Sequence, residues 1–245
     1  MRRPVLWHLK VSHYNEKARW ALDHKRVPHT RRAVTPGVHP LVARLLSGGE
    51  TFPVLVVDGR AIGDSTEIIA ELERRQPDRP LYPADPDARR RALELEDFLD
   101  EELGPYTRML AMHHALPDQE LFVGMFMPDL AAGARPLVRA AFPALRSQIE
   151  AQFDLRGDGP ERALAKVRAA AERLKAEVGP SGYLVGDTFT VADLTLAALL
   201  APPLAPEQFP YAQPQRDHPL FAPVREALDG LGLLGWMREL YARHR

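Results

Sequence analysis

The chain has 245 residues, 45% of them hydrophobic, enough to bury the core of one large domain or two small ones. Its 32 basic and 33 acidic side chains give a formal net charge of -1, so composition offers no reason to expect nucleic acid as a partner. Cysteine is absent, which removes disulfides, thiolate metal sites and attack by a sulfur of the protein's own.

The apolar opening, 4–9, is too short for a signal peptide and is ended by Lys10 and Ser12. The most apolar window, 194–204, is interrupted by Pro202 and Pro203 and falls short of the ~20 residues of a membrane span. A cytoplasmic protein that does not enter membranes is the expectation.

In chain order, 6–9 reads as a strand, 15–25 as a helix with Ala18, Ala21 and Leu22 on one face, and 29–34 as a weaker strand. A short helix follows over 40–46. Residues 54–57 and 60–62 then form a hairpin around Asp58-Gly59, and 64–75 closes the unit as a helix with Ile68, Ile69 and Leu72 inward. The proline-rich segment 76–87 reads as an extended linker, and every strong pattern after it has helical period. One helical pattern covers 87–114, with Leu93, Phe98 and Leu103 at heptad-like intervals and its end frayed by Gly104-Pro105; a second spans 160–178. A third begins at Thr190, which with Asp193 forms a capping box. Residues between 113 and 160 carry no legible pattern.

Three polar positions in the first eighty residues fall at strand ends and helix starts, where small α/β sheets bind ligands. Ser12 opens the first helix. Its hydroxyl serves either as an ordinary N-cap or as a donor to a thiolate brought by a ligand. Lowering a thiol pKa by two units from roughly 8.5 takes about 2.7 kcal/mol of preference for the anion, within reach of one charge-assisted hydrogen bond plus a helix N-terminus. Phe52-Pro53 opens a strand. The trans form is the expected state, whereas a cis bond would turn the Phe52 backbone outward to pair with an extended ligand. Asp64 with Glu67 reads as a cap. Alternatively Ser65 and its amide take a carboxylate while Asp64 takes an ammonium, as an amino-acid head group requires.

Other chemistries fare worse. Gly63-Asp64-Ser65 is the triplet of some serine hydrolases, but the only late acid–histidine pair is the adjacent Asp217-His218, whose spacing does not suit a triad. No two of the nine histidines stand four apart with an intervening glutamate, so no metal is expected.

In their order along the chain these stretches resemble the glutathione transferase superfamily. "SHYNEKARWAL" is similar to its first-helix motif with Ser12 at the reactive position, and "FPVL" and "DSTEII" to its binding turns. "LYPADPDARRRALELEDFLDEELGP" and "YLVGDTFTVADLTLAALLAP" are similar to its linker, fourth helix and capped core helix. The resemblance covers all but about 113–160. It implies a thioredoxin-like α/β domain over 1–78, a linker over 79–87 and an all-helical domain over 88–245, in a homodimer.

It further implies that glutathione is co-substrate, its sulfur on Ser12, its cysteinyl backbone at Phe52 and Pro53, and its γ-glutamyl end at Asp64 and Ser65. An electrophilic, apolar acceptor would lie between the domains against Tyr106, Met109 and His113, with Tyr14 a second hydroxyl near the sulfur. The reaction would be addition of the thiolate to an electrophilic carbon. Thr51 stands where many members carry a lysine for the glycine carboxylate, so that anchor is either missing or supplied from elsewhere, for instance by His39. His13 replaces the proline usual in cysteine-type members, and without cysteine the glutaredoxin-like branch is excluded. The rival expectation is a non-catalytic binding or structural protein on the same fold.

Overall fold

The computed structural model describes residues 3–245, so the first two residues of the expected 1–78 domain lie outside it. Strand β1 (Val5–His8) pairs in parallel with β2 (Thr30–Ala33) across helix α1 (His13–His24). After α2 (His39–Ser47), β3 (Val54–Val57) runs antiparallel to β1, and β4 (Arg60–Gly63) antiparallel to β3, completing a sheet of order β2-β1-β3-β4. Helix α3 (Ser65–Arg75) follows directly.

Strand alternation divides the two faces. Leu6, Leu55 and Val57 point to one side and pack with Ala18, Leu22, Ile68 and Leu72 of α1 and α3. Trp7, Val54 and Val56 point to the other, where they cluster with Ala43, Val42 and Leu46 of α2 and with Leu9, Val34, Phe52 and Ala61. That second layer is thin, and α2 leaves Leu41 and Leu45 facing solvent.

Residues 76–85 contain neither helix nor strand, and the remainder is helical: α4 (Pro86–Glu102), α5 (Gly104–Ala115), α6 (Gln119–Phe126), α7 (Arg135–Gln152), α8 (Gly159–Glu177), α9 (Val191–Leu204), α10 (Ala222–Asp229) and α11 (Leu233–His244). The helix expected over 87–114 is two. Leu103 separates them, and Pro105, which has no N–H to give and is favoured in a first turn, starts α5 afresh. The unread stretch between 113 and 160 forms α6 and α7, the latter with Pro143 inside it.

Helix α9 is the axis of this half. All its residues are buried, and it touches α1, α4, α5 and α11. Its start is tied down by the Asp193 carboxylate, which accepts from Thr190 N at 2.9 Å, from Leu184 N at 2.8 Å and from the Thr190 hydroxyl at 2.9 Å. Among the described residues no helix is long and apolar enough to cross a membrane.

The two halves share one apolar core, in which Leu6 and Ile68 are continuous with Leu95, Leu99 and Leu194. At its edge Trp20 stacks on Phe189 and donates to His244 O at 3.0 Å, drawing α11 back onto α1. Charge also enters this apolar seam: Lys17 of α1 is fully buried and reaches Glu96 at 2.7 Å and Asp100 at 2.5 Å on α4, and Glu16 of α1 pairs with Arg245 at the far end.

Candidate functional site

A cleft of about 430 Å³ opens between the sheet half and the helical half. On the sheet side it is lined by Ser12, Phe52, Pro53, Asp64, Ser65 and Thr66, and on the helical side by Asp100, Arg108, Ala111, Met112, Phe126 and Phe153. The three polar positions singled out in the sequence therefore meet in one place.

Ser12 is the N-cap of α1, with extended backbone, and is half-buried. Its oxygen accepts from Asn15 Nδ2 at 2.7 Å and, more weakly, from Asn15 N at 3.5 Å. The hydroxyl proton is given to no described residue and is left for the cleft. The two readings of Ser12 are thus compatible, since capping uses its lone pairs and a ligand would use its hydrogen.

Asn15, which sequence reasoning passed over, organises this corner. It is fully buried, and its Oδ1 accepts from Leu9 N at 3.0 Å while its Nδ2 donates to Ser12 Oγ and to Phe52 O at 3.0 Å. One amide thereby joins the end of β1, the start of α1 and the residue before β3. Behind it, buried Arg19 donates to the carbonyls of Leu9, Lys10 and Ser12 and is held by Glu16 at 2.8 Å, which fixes the turn that carries Ser12. The signal for both residues was polarity on a helix face that the apolar pattern marks as inward.

The Phe52–Pro53 peptide is cis, not the trans form expected. Both residues line the cleft, and Phe52 O is already taken by Asn15. Asp64 is exposed and caps α3 by accepting from Glu67 N at 3.0 Å, in a left-handed conformation (φ 34°) that non-glycine residues rarely occupy. Ser65 is buried beside it at the helix start, and its hydroxyl bonds to no described residue.

Thr66, next along α3, leads to the buried cluster and donates to Asp100 Oδ2 at 3.0 Å. Burial raises the pKa of both Glu96 and Asp100, with the Lys17 ammonium opposing it; one cation faces two carboxylates there.

The expected acceptor residues do not all meet. Tyr14 lines the cleft, but its hydroxyl donates to Asp100 O at 2.6 Å, capping a carbonyl at the end of α4, and burial raises its pKa. That proton is spent. Tyr106, Met109 and His113 do not line the cleft: Tyr106 lies beneath Lys166 of α8 and His113 packs edge-on to His114. The stripe of α5 that faces the cleft is Arg108, Ala111 and Met112 instead. The break at Leu103 restarts the helix at Gly104, and the rotation of α5 brings this other stripe to the cleft.

Thr51 and His39 line the cleft near Pro36, and burial lowers the His39 pKa, which leaves that end without a side-chain cation. Among the described residues no group of histidines and carboxylates is arranged to hold a metal ion.

Comparison with known proteins points one way. Residues 6–80 match the family described as Glutathione S-transferase, N-terminal domain, and residues 128–202 match Glutathione S-transferase, C-terminal domain. No curated protein matches the chain. Among solved structures, it is similar to a glutathione transferase of Phanerochaete chrysosporium (17% identity, TM-score 0.65, covering 100% of this chain and 98% of that one). The β-etherase LigF of a Sphingobium strain has 17% identity and TM-score 0.63, over 99% and 100% of the two chains. A glutathione S-transferase of Methylobacterium radiotolerans, in complex with glutathione sulfonate, has 20% identity and TM-score 0.57, over 96% and 93%. At these identities the likeness is one of fold.

Proposed function

The chain belongs to the glutathione S-transferase superfamily, and from that premise we propose that it binds glutathione in the cleft and activates its thiol for attack on a small electrophile. The observation that carries this reading is Ser12: a half-buried hydroxyl at a helix N-terminus, with its lone pairs engaged by Asn15 and its proton aimed at no protein acceptor. A sulfur seated there meets a hydrogen-bond donor and the positive end of the α1 dipole, both of which favour thiolate over thiol.

The remaining sheet-side groups suit the rest of the tripeptide. The Phe52 backbone at the edge of β3 offers a peptide partner, and the buried Ser65 hydroxyl with the first amides of α3 suits the γ-glutamyl carboxylate. Asp64, whose second oxygen is not engaged by the cap, faces the ammonium. The acceptor lies against the helical wall. The thiol proton leaves to solvent, the thiolate sulfur bonds to the electrophilic carbon, and the bond to the leaving group breaks with its electron pair.

Calorimetric titration with glutathione tests the binding half: the parent saturates, and Ser65→Ala weakens affinity by about tenfold. Turnover of a generic aryl halide tests the chemistry, since Ser12→Ala lowers kcat by about ten- to a hundredfold with little change in glutathione affinity. Full rate in Ser12→Ala would remove Ser12 from the reaction.

A second reading is favoured by one observation, the lack of a side-chain cation at the His39–Thr51 end, where the glycine carboxylate would lie. On that reading the fold binds ligands without turning them over. Absence of glutathione binding by the parent, with other thiols also inert, decides for it.

A further inference from the structure

The helical wall of the cleft contains a charge without a partner. Arg108 projects from α5, and its guanidinium lies 5.3 Å from the centre of the Phe153 ring. It forms no hydrogen bond and no ion pair with any described residue, and its Nε is buried with nothing to donate to. Other arginines turned inward are paired, whereas Arg108 is half-buried and unpaired. Arg19 is paired with Glu16, and Arg245 with Glu16 and Asp23. Around Arg108 the wall is apolar: Ala111, Met112, Phe126 and Pro202. Asp100, the carboxylate of α4 that also lines the cleft, gives its Oδ2 to Lys17 and Thr66, while its Oδ1 bonds to no described residue.

A guanidinium stays charged at any physiological pH, and burying it without an anion is costly. Burial lowers the Arg108 pKa, opposed only by the Tyr14 hydroxyl. An uncompensated fork of donors set in an apolar wall is complementary to one ligand class: a planar anion on an apolar body.

We propose that the acceptor is an aromatic or similarly apolar carboxylate, its ring against Met112, Phe126 and Phe153 and its carboxylate on the Arg108 guanidinium. The role of that ligand as acceptor rests on the thiol-transfer reading above; the anion site itself does not.

The test uses inert probes and the full chain. Equilibrium affinities of naphthalene-2-carboxylate and naphthalene-2-carboxamide are measured for the parent, Arg108→Gln and Arg108→Lys, with glutathione titrated into each. The parent binds the carboxylate at least about tenfold more tightly than the amide. Arg108→Gln abolishes that preference while its amide and glutathione affinities stay unchanged, which also reports an intact fold. Arg108→Lys keeps part of the preference.

Equal affinities in the parent, no binding of either probe, or a preference that survives in Arg108→Gln each overturn the proposal. A loss of glutathione affinity in Arg108→Gln overturns it as well, because Arg108 then serves the tripeptide's own glycine carboxylate. A parent that ignores glutathione yet keeps the carboxylate preference sinks the transferase reading and leaves the anion site standing.

Discussion

The two walls of the cleft are built on different principles. On the sheet side nearly every polar group is bonded to a neighbour: Asn15 serves Leu9, Ser12 and Phe52, Arg19 serves three carbonyls of the same turn, and Asp64 caps α3. What remains for a ligand there is the Ser12 proton, the Ser65 hydroxyl and backbone. On the helical side the wall is mostly apolar, with Asp100 paired to Lys17 through one oxygen and, among the described residues, one unpaired cation, Arg108. A wall held by backbone-directed bonds keeps its geometry and suits a ligand that does not vary. A wall of methionine, phenylalanine and alanine can be reshaped by single substitutions at little cost to the fold, and suits a variable acceptor.

The largest effect falls where the walls are joined. Lys17→Met leaves Glu96 and Asp100 buried side by side with no cation, costing about 3–5 kcal/mol of stability in urea denaturation. A smaller loss would mean that water or a second proton already supports the pair and that the seam holds through its apolar contacts alone.

Next comes the sheet-side hub. Asn15→Leu keeps the volume but strands Leu9 N and Phe52 O, at about 2–4 kcal/mol, and frees the Ser12 hydroxyl to rotate, so glutathione affinity and stability fall together. If stability drops while affinity is untouched, the ligand does not depend on this corner, and the contrast between a bonded and an unbonded wall loses its functional meaning.

The same contrast governs what could be read beforehand. Ser12, Asp64 and the Thr190–Asp193 box were legible because caps are local: the residue type, the break in apolar period and the offset to the partner all lie within four residues. The strands were legible for the same reason, each boundary lying within a residue or two of the structure. Asn15 was not, because its meaning is supplied by Phe52, far away in the chain. The cleft-facing stripe of α5 was not, because it depends on the rotation of a helix restarted at Gly104. Arg108 in particular looks in sequence like any solvated arginine of an amphipathic helix, and only tertiary packing half-buries it and leaves its Nε without a partner. The cis state of Phe52–Pro53 lies in the same class: local statistics favour trans, and the surrounding fold decides.

Gly104 sits where the walls touch, and tests how tight that contact is. A Cβ at this position would lie 2.2 Å from the Tyr14 hydroxyl and 2.7 Å from its Cζ. Gly104→Ala therefore displaces Tyr14 from Asp100 O and costs about 1–3 kcal/mol, a penalty that shrinks when Tyr14→Leu makes room. Strict additivity of the two substitutions would show that Tyr14 already swings clear.

The smallest effect separates the walls by pH. His8 and His13 are both buried on the sheet side, with pKa values lowered from 6.5 to about 3 by burial, assisted by Arg19 at His8 and by Arg108 at His13. Burial is the main cause of both shifts, and at His13 it outweighs the bond to Gly104 O, which favours the protonated ring. His8 accepts from Arg19 at Nδ1, and His13 donates from Nε2 to Gly104 O at 2.8 Å. The unfolded chain takes up these protons near pH 6.5 and the folded chain only near 3, so stability is complete above 6.5 and is lost as pH falls through that window, at about 1.4 kcal/mol per pH unit for each ring. His13→Gln retains an N–H for Gly104 O and carries no titratable proton. Its denaturation midpoint between pH 7 and 5 should fall less steeply than the parent's by one ring's share. An unchanged slope would mean that His13 reaches solvent and protonates in the folded chain, and with it that the bonded wall opens where its partner's does not.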